Sequence, residues 1–218
     1  MDKADRVVIR KFTPGDRLAL RELCSDTAFM GRPVEVFWKD RELFADWTTL
    51  YYTDYEPQSI FLAEYETKIV GYLMGCRKEE DYQKIFSQKI FPSLLGRSFN
   101  SLLWRRQASG IFFFNLARSF LCGEFNRPDF SHIYPAHLHI NVDKDFRKAG
   151  LGSLLIESFL NYLIDSKVEA VRLATISKQA NRFFQRCGFN LLYRRRVTYF
   201  DYLSRENIYL SIYGKILE

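Results

Sequence analysis

Short runs in which apolar and polar residues alternate are separated by longer stretches in which apolar residues recur every three to four positions. That change of period predicts strands interleaved with amphipathic helices. Val7 to Phe12 reads as an opening strand, and the turn Thr13-Pro14-Gly15-Asp16 delivers a helix with Leu18, Leu20 and Leu23 among its apolar positions. Pro33 starts a second helical stretch through Phe37, Trp38, Leu43, Phe44 and Trp47. Ile60 to Glu64 and Lys68 to Gly75 are strands joined as a hairpin by Tyr65-Glu66-Thr67. His137 to Val142, with Leu138, Ile140 and Val142 in alternation, is the next strand. A helix follows with Leu154, Leu155, Phe159, Tyr162 and Leu163 on one face; Val171 to Thr175, Val197 to Tyr202 and Ile208 to Tyr213 read as the remaining strands.

Between Lys78 and His132 the pattern predicts two helical pieces. One covers Asp81 to Ile90; the other lies beyond Phe91-Pro92, with Leu102, Leu103, Trp104, Phe112, Phe113, Phe114, Leu116 and Phe120. A long structured excursion between two strands is commonly a functional element or an interface. Three readings stand: extra core packing, a lid over a binding site, or a contact with a second copy (a homodimer) or a membrane surface.

The chain has 218 residues, 47% of them hydrophobic and 17% aromatic, enough for one enlarged domain over 1–218 with 78–132 inserted in it. Cys24, Cys76, Cys122 and Cys187 are scattered without metal-ligand spacing, which suggests neither a metal site nor a disulfide framework and points to a reducing cytoplasm. The charged start, Met1 to Arg6, lacks the apolar stretch of a signal peptide, and no run of about twenty apolar residues is present to cross a bilayer. A formal charge of +6 fits either an acidic partner or the phosphates of a bound cofactor, and no basic-aromatic module argues for nucleic acid.

The candidate chemistry lies at Arg147-Lys148-Ala149-Gly150-Leu151-Gly152-Ser153, where two glycines join the strand ending at Val142 to the helix beyond. Glycine leaves nothing between its amide and an approaching anion, and the first turn of a helix offers unpaired N–H donors at the positive end of its dipole. This Arg-x-x-Gly-x-Gly pattern, preceded by Phe146, resembles the acyl-CoA-binding motif of the GNAT superfamily of N-acetyltransferases. Ala180-Asn181-Arg182-Phe183-Phe184-Gln185-Arg186-Cys187-Gly188-Phe189 resembles the second GNAT signature, Ala-x-x-Phe-Tyr-x-x-x-Gly-Phe. The strand order also matches.

The resemblance implies an α/β (α+β) fold, a mixed, mostly antiparallel sheet of six to seven strands flanked by helices. It also implies acetyl transfer from acetyl-CoA to a primary amine of a small molecule or peptide, without a metal. The backbone amides of Lys148, Gly150, Gly152 and Ser153 would face the pyrophosphate, with Arg147 near a phosphate and Ala149 and Leu151 within the loop. The edge of Ile140, Asn141 and Val142 would pair with the pantetheine amides, and Ser177, Asn181 and Phe184 would complete the cofactor side.

His137 and His139 lie two apart on one strand, so both rings face the same way. Ala136-His137-Leu138-His139 resembles the His-x-His of arylalkylamine N-acetyltransferases, which implies a proton relay from the amine; the residue-level alternative is a pair of hydrogen-bonded core histidines. One residue fewer separates this pair from Arg147, which predicts a different bulge in the strand. The same text is similar to the acetyltransferase-like domain of O-GlcNAc hydrolases and their microbial relatives. Phe184 stands where GNATs often carry an acidic tyrosine, so the role falls to Tyr193 or Tyr199, or the thiolate leaves unaided. The alternative function is a catalytically impaired module that binds acyl-CoA or a protein partner.

Overall fold

The computed structural model describes residues 6–100, 107–147 and 149–217. Seven strands form one sheet in the order β1-β2-β3-β4-β5-β7-β6. They are β1 (Val7–Lys11), β2 (Ile60–Tyr65), β3 (Lys68–Cys76), β4 (Ala136–Val142), β5 (Ala170–Thr175), β6 (Asn190–Val197) and β7 (Ile208–Ile216). Every neighbouring pair is antiparallel except β4 and β5. The expected mixed, mostly antiparallel sheet flanked by helices is therefore present.

Two apolar layers cover the sheet. On one face, α1 (Arg17–Asp26) and α2 (Arg41–Tyr55) pack Leu20, Leu23, Leu43 and Tyr52 against Leu62, Tyr72 and Met74. On the other, α6 (Leu151–Asp165) turns Leu151, Leu155, Phe159 and Leu163 toward Ala63, Leu73, Leu138 and Val171, a stripe with helical spacing meeting strand residues two apart. Pro33 opens only a 3-10 turn, Val34–Val36; the second helix begins at Arg41, where the Asp40 side chain accepts the Leu43 N–H at 2.9 Å.

Among the described residues, α3 (Glu79–Ile85), α4 (Phe91–Asn100) and α5 (Gln107–Leu121) lie between β3 and β4. Leu102, Leu103 and Trp104 lie outside the described residues. Phe91-Pro92 does not break the helix as the sequence suggests. A π-helical turn over Phe86–Ile90 sends the Phe91 N–H to the Phe86 carbonyl, and the wider turn makes room for a proline ring that can neither donate to nor lie close to the carbonyl four residues back.

This segment packs on the α2 side. Phe112 stacks near Phe37 and Phe200, Phe113 meets Trp38 edge-on, and Phe86 and Phe91 flank Trp47. Arg97 and Arg21 together clamp the buried Asp46 carboxylate. Among the described residues of α3, α4 and α5, only Tyr82 lines the large cleft described below, and many of the others pack into the core.

The other correction concerns the arginine run. Arg194-Arg195-Arg196 lies inside β6, which ends at Val197, and the rest of the expected strand, Thr198 to Tyr202, is turn and 3-10 helix. Strand β6 is an edge, where charged side chains splay into solvent without disturbing the ladder. Arg194 lies over the Tyr209 ring, Arg195 donates to the Asn126 carbonyl at 2.8 Å and Arg196 pairs with Asp201 at 2.8 Å.

Candidate active site

The parallel β4–β5 ladder has two rungs, Ala136 opposite Val171 and His137 opposite Arg172, and then the strands part. On its other side β4 stays paired with β3 from His137 through Val142 without a register shift, so no bulge interrupts that ladder; the shift between β2 and β3 falls at Ala63/Glu64 and skips Val70 of β3. A cleft of about 1050 Å³ opens in the gap, lined by Leu138 to Val142 of β4, Leu173 to Thr175 of β5, the start of α6 and parts of α2 and β3. Beyond the second rung the β5-facing edge of β4 has no strand partner, so its backbone amides and carbonyls face the cleft, available to a ligand's own amides.

Gly150, Leu151, Gly152 and Ser153 line one end of this cleft together with Arg147, Ser177 and Phe184. Gly150 caps α6 in the left-handed region at φ +78°, and a Cβ there would meet no atom within 4 Å. Gly152 is needed for another reason: its Cβ would come within 2.9 Å of the Phe183 ring. The Ser153 N–H turns back to the Gly150 carbonyl at 2.9 Å, which removes one of the four expected phosphate donors. The amides of Leu151 and Gly152, in the first turn, precede any intrahelical acceptor in the ordinary α-helical register. Lys148 lies outside the described residues.

The other cofactor candidates divide. The Arg147 Nε–H donates to the Val142 carbonyl at 3.2 Å, and its guanidinium rests on Gly31, itself at φ +87°. Ser177 lines the cleft while accepting the Ala180 N–H at the start of α7 (Lys178–Arg186). Phe184 lines it too and packs on Phe189 and Tyr213. Ala149 packs against the α6-side core, and Asn181 holds a buried Oδ1 with no hydrogen-bond partner; neither lines the cleft. Arg147 and Arg186 are the only lining residues with permanently charged side chains among those described, and both are cations. Open glycine backbone, a helix start and two arginines suit a phosphate-bearing ligand.

The histidine pair splits into two environments. His139 opens into the cleft, yet protein surrounds it, and this desolvation together with the adjacent His137 ring pulls its pKa from 6.5 down to about 4, against a weaker upward pull from Glu79. The imidazole is thus neutral near pH 7. His137 instead lies in the core behind it: Nδ1 is 2.6 Å from Glu79 Oε2 and Nε2 is 2.8 Å from the Tyr52 hydroxyl. Both rings face one side of β4 as expected, with centroids 5.9 Å apart, but His137 has no nitrogen left for a substrate.

Sequence reasoning missed the partners Glu79 and Tyr52. Burial raises the Glu79 pKa, but the His137 hydrogen bond and the charges of His137 and Arg172 outweigh it and hold the carboxylate below its ordinary value. Tyr193, the candidate acid, stands opposite Ile212 on edge strand β6, and the width of β7 separates it from β5; it does not line the cleft. Tyr199 stacks on Phe125 and also lies outside it.

Residues 119–191 match the family model described as acetyltransferase (GNAT) domain. That span contains β4, the glycine loop, α6, β5 and α7. No curated protein sequence matches the chain. Among solved structures, the chain is similar to one described as SsHAT, with 24% identity, 96% of this chain and 98% of that one covered, and a TM-score of 0.73. The chain is also similar to a Drosophila melanogaster polyamine N-acetyltransferase that catalyses the formation of N-acetylagmatine (17% identity, 97% and 100% covered, TM-score 0.58). A third is yncA from Salmonella typhimurium, solved with its cofactor acetyl-CoA (12% identity, 98% and 95% covered, TM-score 0.56). At these identities the likeness is one of fold.

Proposed function

We propose that the protein is an N-acetyltransferase of the cytoplasm that moves an acetyl group from acetyl-CoA to a primary amine by direct attack. The observation that carries this reading is one continuous cleft with the glycine-started helix at one end and a neutral, open imidazole, His139, at the other. Arg147 and the first-turn amides of α6 hold the phosphates, and the unpaired edge of Ile140, Asn141 and Val142 holds the pantetheine arm. Acetyl-CoA supplies the activated carbonyl. His139 accepts the ammonium proton, directly or through water; the nitrogen lone pair then attacks the thioester carbon to form the C–N bond, the C–S bond breaks, and the thiolate leaves and takes up the second proton that the nitrogen gives up as the amide forms. His137 is a positioning residue, fixed by Glu79 and Tyr52.

Phe184 favours a second reading, a module that binds acyl-CoA without turnover, because a ring packed on Phe189 and Tyr213 has no proton to give. Following free thiol while the protein, acetyl-CoA and a panel of amines are mixed separates the two. Release that depends on an amine supports transfer; tight acetyl-CoA binding by calorimetry with no amine-dependent thiol supports the module.

A further inference from the structure

The outer side of the β3–β4 connection carries a face that nothing in the chain covers. Helix α5 is fixed in rotation by its inner side. Ser109, buried near its start, accepts the Lys39 N–H at 3.0 Å; Ser119, buried near its end, has its Oγ 3.3 Å from the Thr198 hydroxyl; and Phe112 packs into the core between them. Ile111, Phe114, Arg118 and Leu121, spaced three, four and three apart, therefore share the opposite side. Ile111, Phe114 and Leu121 are 42%, 71% and 84% exposed, and Arg118 is exposed among them. The charges around this stripe have one sign. From Tyr82 to Gly123 the described residues include Lys84, Lys89, Arg97 and Arg118 but no aspartate or glutamate, although Arg97 is taken by Asp46. Just beyond, Glu124 turns inward to accept the Thr198 N–H at 2.9 Å and its hydroxyl at 2.6 Å. Arg127 stays exposed, and Arg195 of β6 comes alongside to the Asn126 carbonyl.

We infer that the outer face of α5 docks on an anionic lipid surface, the helix lying along the headgroups with Phe114 and Leu121 toward the acyl chains and Arg118 and Arg127 beside the phosphates. Shallow attachment of this kind needs an apolar stripe, cations at its rim and no carboxylate to be repelled, and all three are present. No described helix is long and apolar enough to cross a membrane, so the contact is with the surface. A second copy suits the face less well. Two copies meeting here about a twofold axis would bring Arg118 toward Arg118 with no carboxylate in the stripe to offset them. The cations are also spread along the connection instead of set in pairs, which matches a diffuse layer of phosphates better than one discrete acidic protein. None of this depends on the acetyltransferase reading.

The test is co-sedimentation of the full chain with vesicles of phosphatidylcholine alone, or of phosphatidylcholine mixed with phosphatidylglycerol, at low and at high salt. We expect about tenfold more binding to the mixed vesicles, falling as salt rises; no preference for them overturns the inference. Phe114→Asp combined with Leu121→Asp should lower that binding about tenfold with Tm unchanged, and Arg118→Glu should lower it by a similar factor. Equal binding by the double variant would mean that the overall charge of +6 holds the vesicle, and overturns the inference. Should the aspartates lower Tm, Phe114→Trp decides. Its added emission must shift to the blue on mixed vesicles and be quenched by bromine on the acyl chains, and an unmoved spectrum overturns the inference. A wild-type dimer that forms without lipid and separates in the double variant assigns the face to a second copy. Tighter binding to polyglutamate than to mixed vesicles assigns it to an acidic protein, and either result overturns the lipid assignment.

Discussion

His137 and Arg172 face each other across the last rung of the β4–β5 ladder, and both side chains reach the same oxygen, Glu79 Oε2, at 2.6 Å and 2.9 Å. The carboxylate belongs to the first turn of α3, which is anchored by its own N–H to the Pro135 carbonyl at 2.8 Å. One buried anion from the long β3–β4 connection thus ties both strands where they begin to diverge. Removing it takes the ion pair from a partly buried guanidinium that keeps only the Tyr134 carbonyl, so Glu79→Ala is expected to cost about 3 kcal/mol of stability in urea unfolding at pH 7, with Glu79→Gln costing less.

The pH dependence of that loss follows from the depressed Glu79 pKa. The carboxylate's contribution is complete above its ordinary value of 4.5 and disappears as pH falls through its lower folded-state value. The difference between wild type and Glu79→Ala should therefore be largest at neutral pH and shrink below pH 4.5. A difference that stayed constant down to acid pH would mean that the charge contributes nothing.

The two loop glycines should respond differently. Gly150→Ala places a methyl in open space but keeps a left-handed backbone, at about 1–2 kcal/mol. The expected result is a lower Tm with near-normal acetyl-CoA affinity. Gly152→Ala pushes the Phe183 ring, which also lines the cleft, and should weaken acetyl-CoA binding about tenfold by calorimetry. Adding Phe183→Leu should restore affinity, because the smaller side chain can yield.

His139 provides a kinetic signature. If His139 is the base of the proposed transfer, its pKa of about 4 keeps it available throughout the neutral range, so kcat/KM corrected for ionisation of the amine should be flat from pH 7 to pH 5 and fall only nearer pH 4. An inflection near 6.5 would contradict the environment described for this ring. His139→Ala should lower kcat about 100-fold with little change in acetyl-CoA affinity.

Much of this arrangement is local, and local order is what sequence periodicity records. Leu138, Ile140 and Val142 announce β4, and Gly150 and Gly152 announce the loop, because each depends on neighbours within a few residues. Glu79 carries no such signal. Its role exists only because α3 returns to the end of β4, 58 residues along the chain from His137. The arginines of β6 mislead for a related reason, since the edge position that makes three consecutive cations harmless is a property of sheet order. Tyr193 likewise cannot be placed two strands from the cleft until β7 is known to lie between β5 and β6.

In the proposed transfer, Phe184, which lines the cleft, would give the departing thiolate no proton donor. Phe184→Tyr adds one hydroxyl there, and the ring is 5% exposed, so the new group either faces the cleft or is buried against Phe189 and Tyr213. Burial without a partner would cost about 1–3 kcal/mol, which favours the cleft-facing arrangement. Protonation of the leaving sulfur should then raise kcat about tenfold with the KM for acetyl-CoA unchanged. Steady-state thiol release checks the rate and thermal unfolding checks the placement. An unchanged kcat with unchanged Tm would mean that the thiolate of the proposed transfer departs unaided, whereas a fall in Tm would mean that the hydroxyl is trapped in the core.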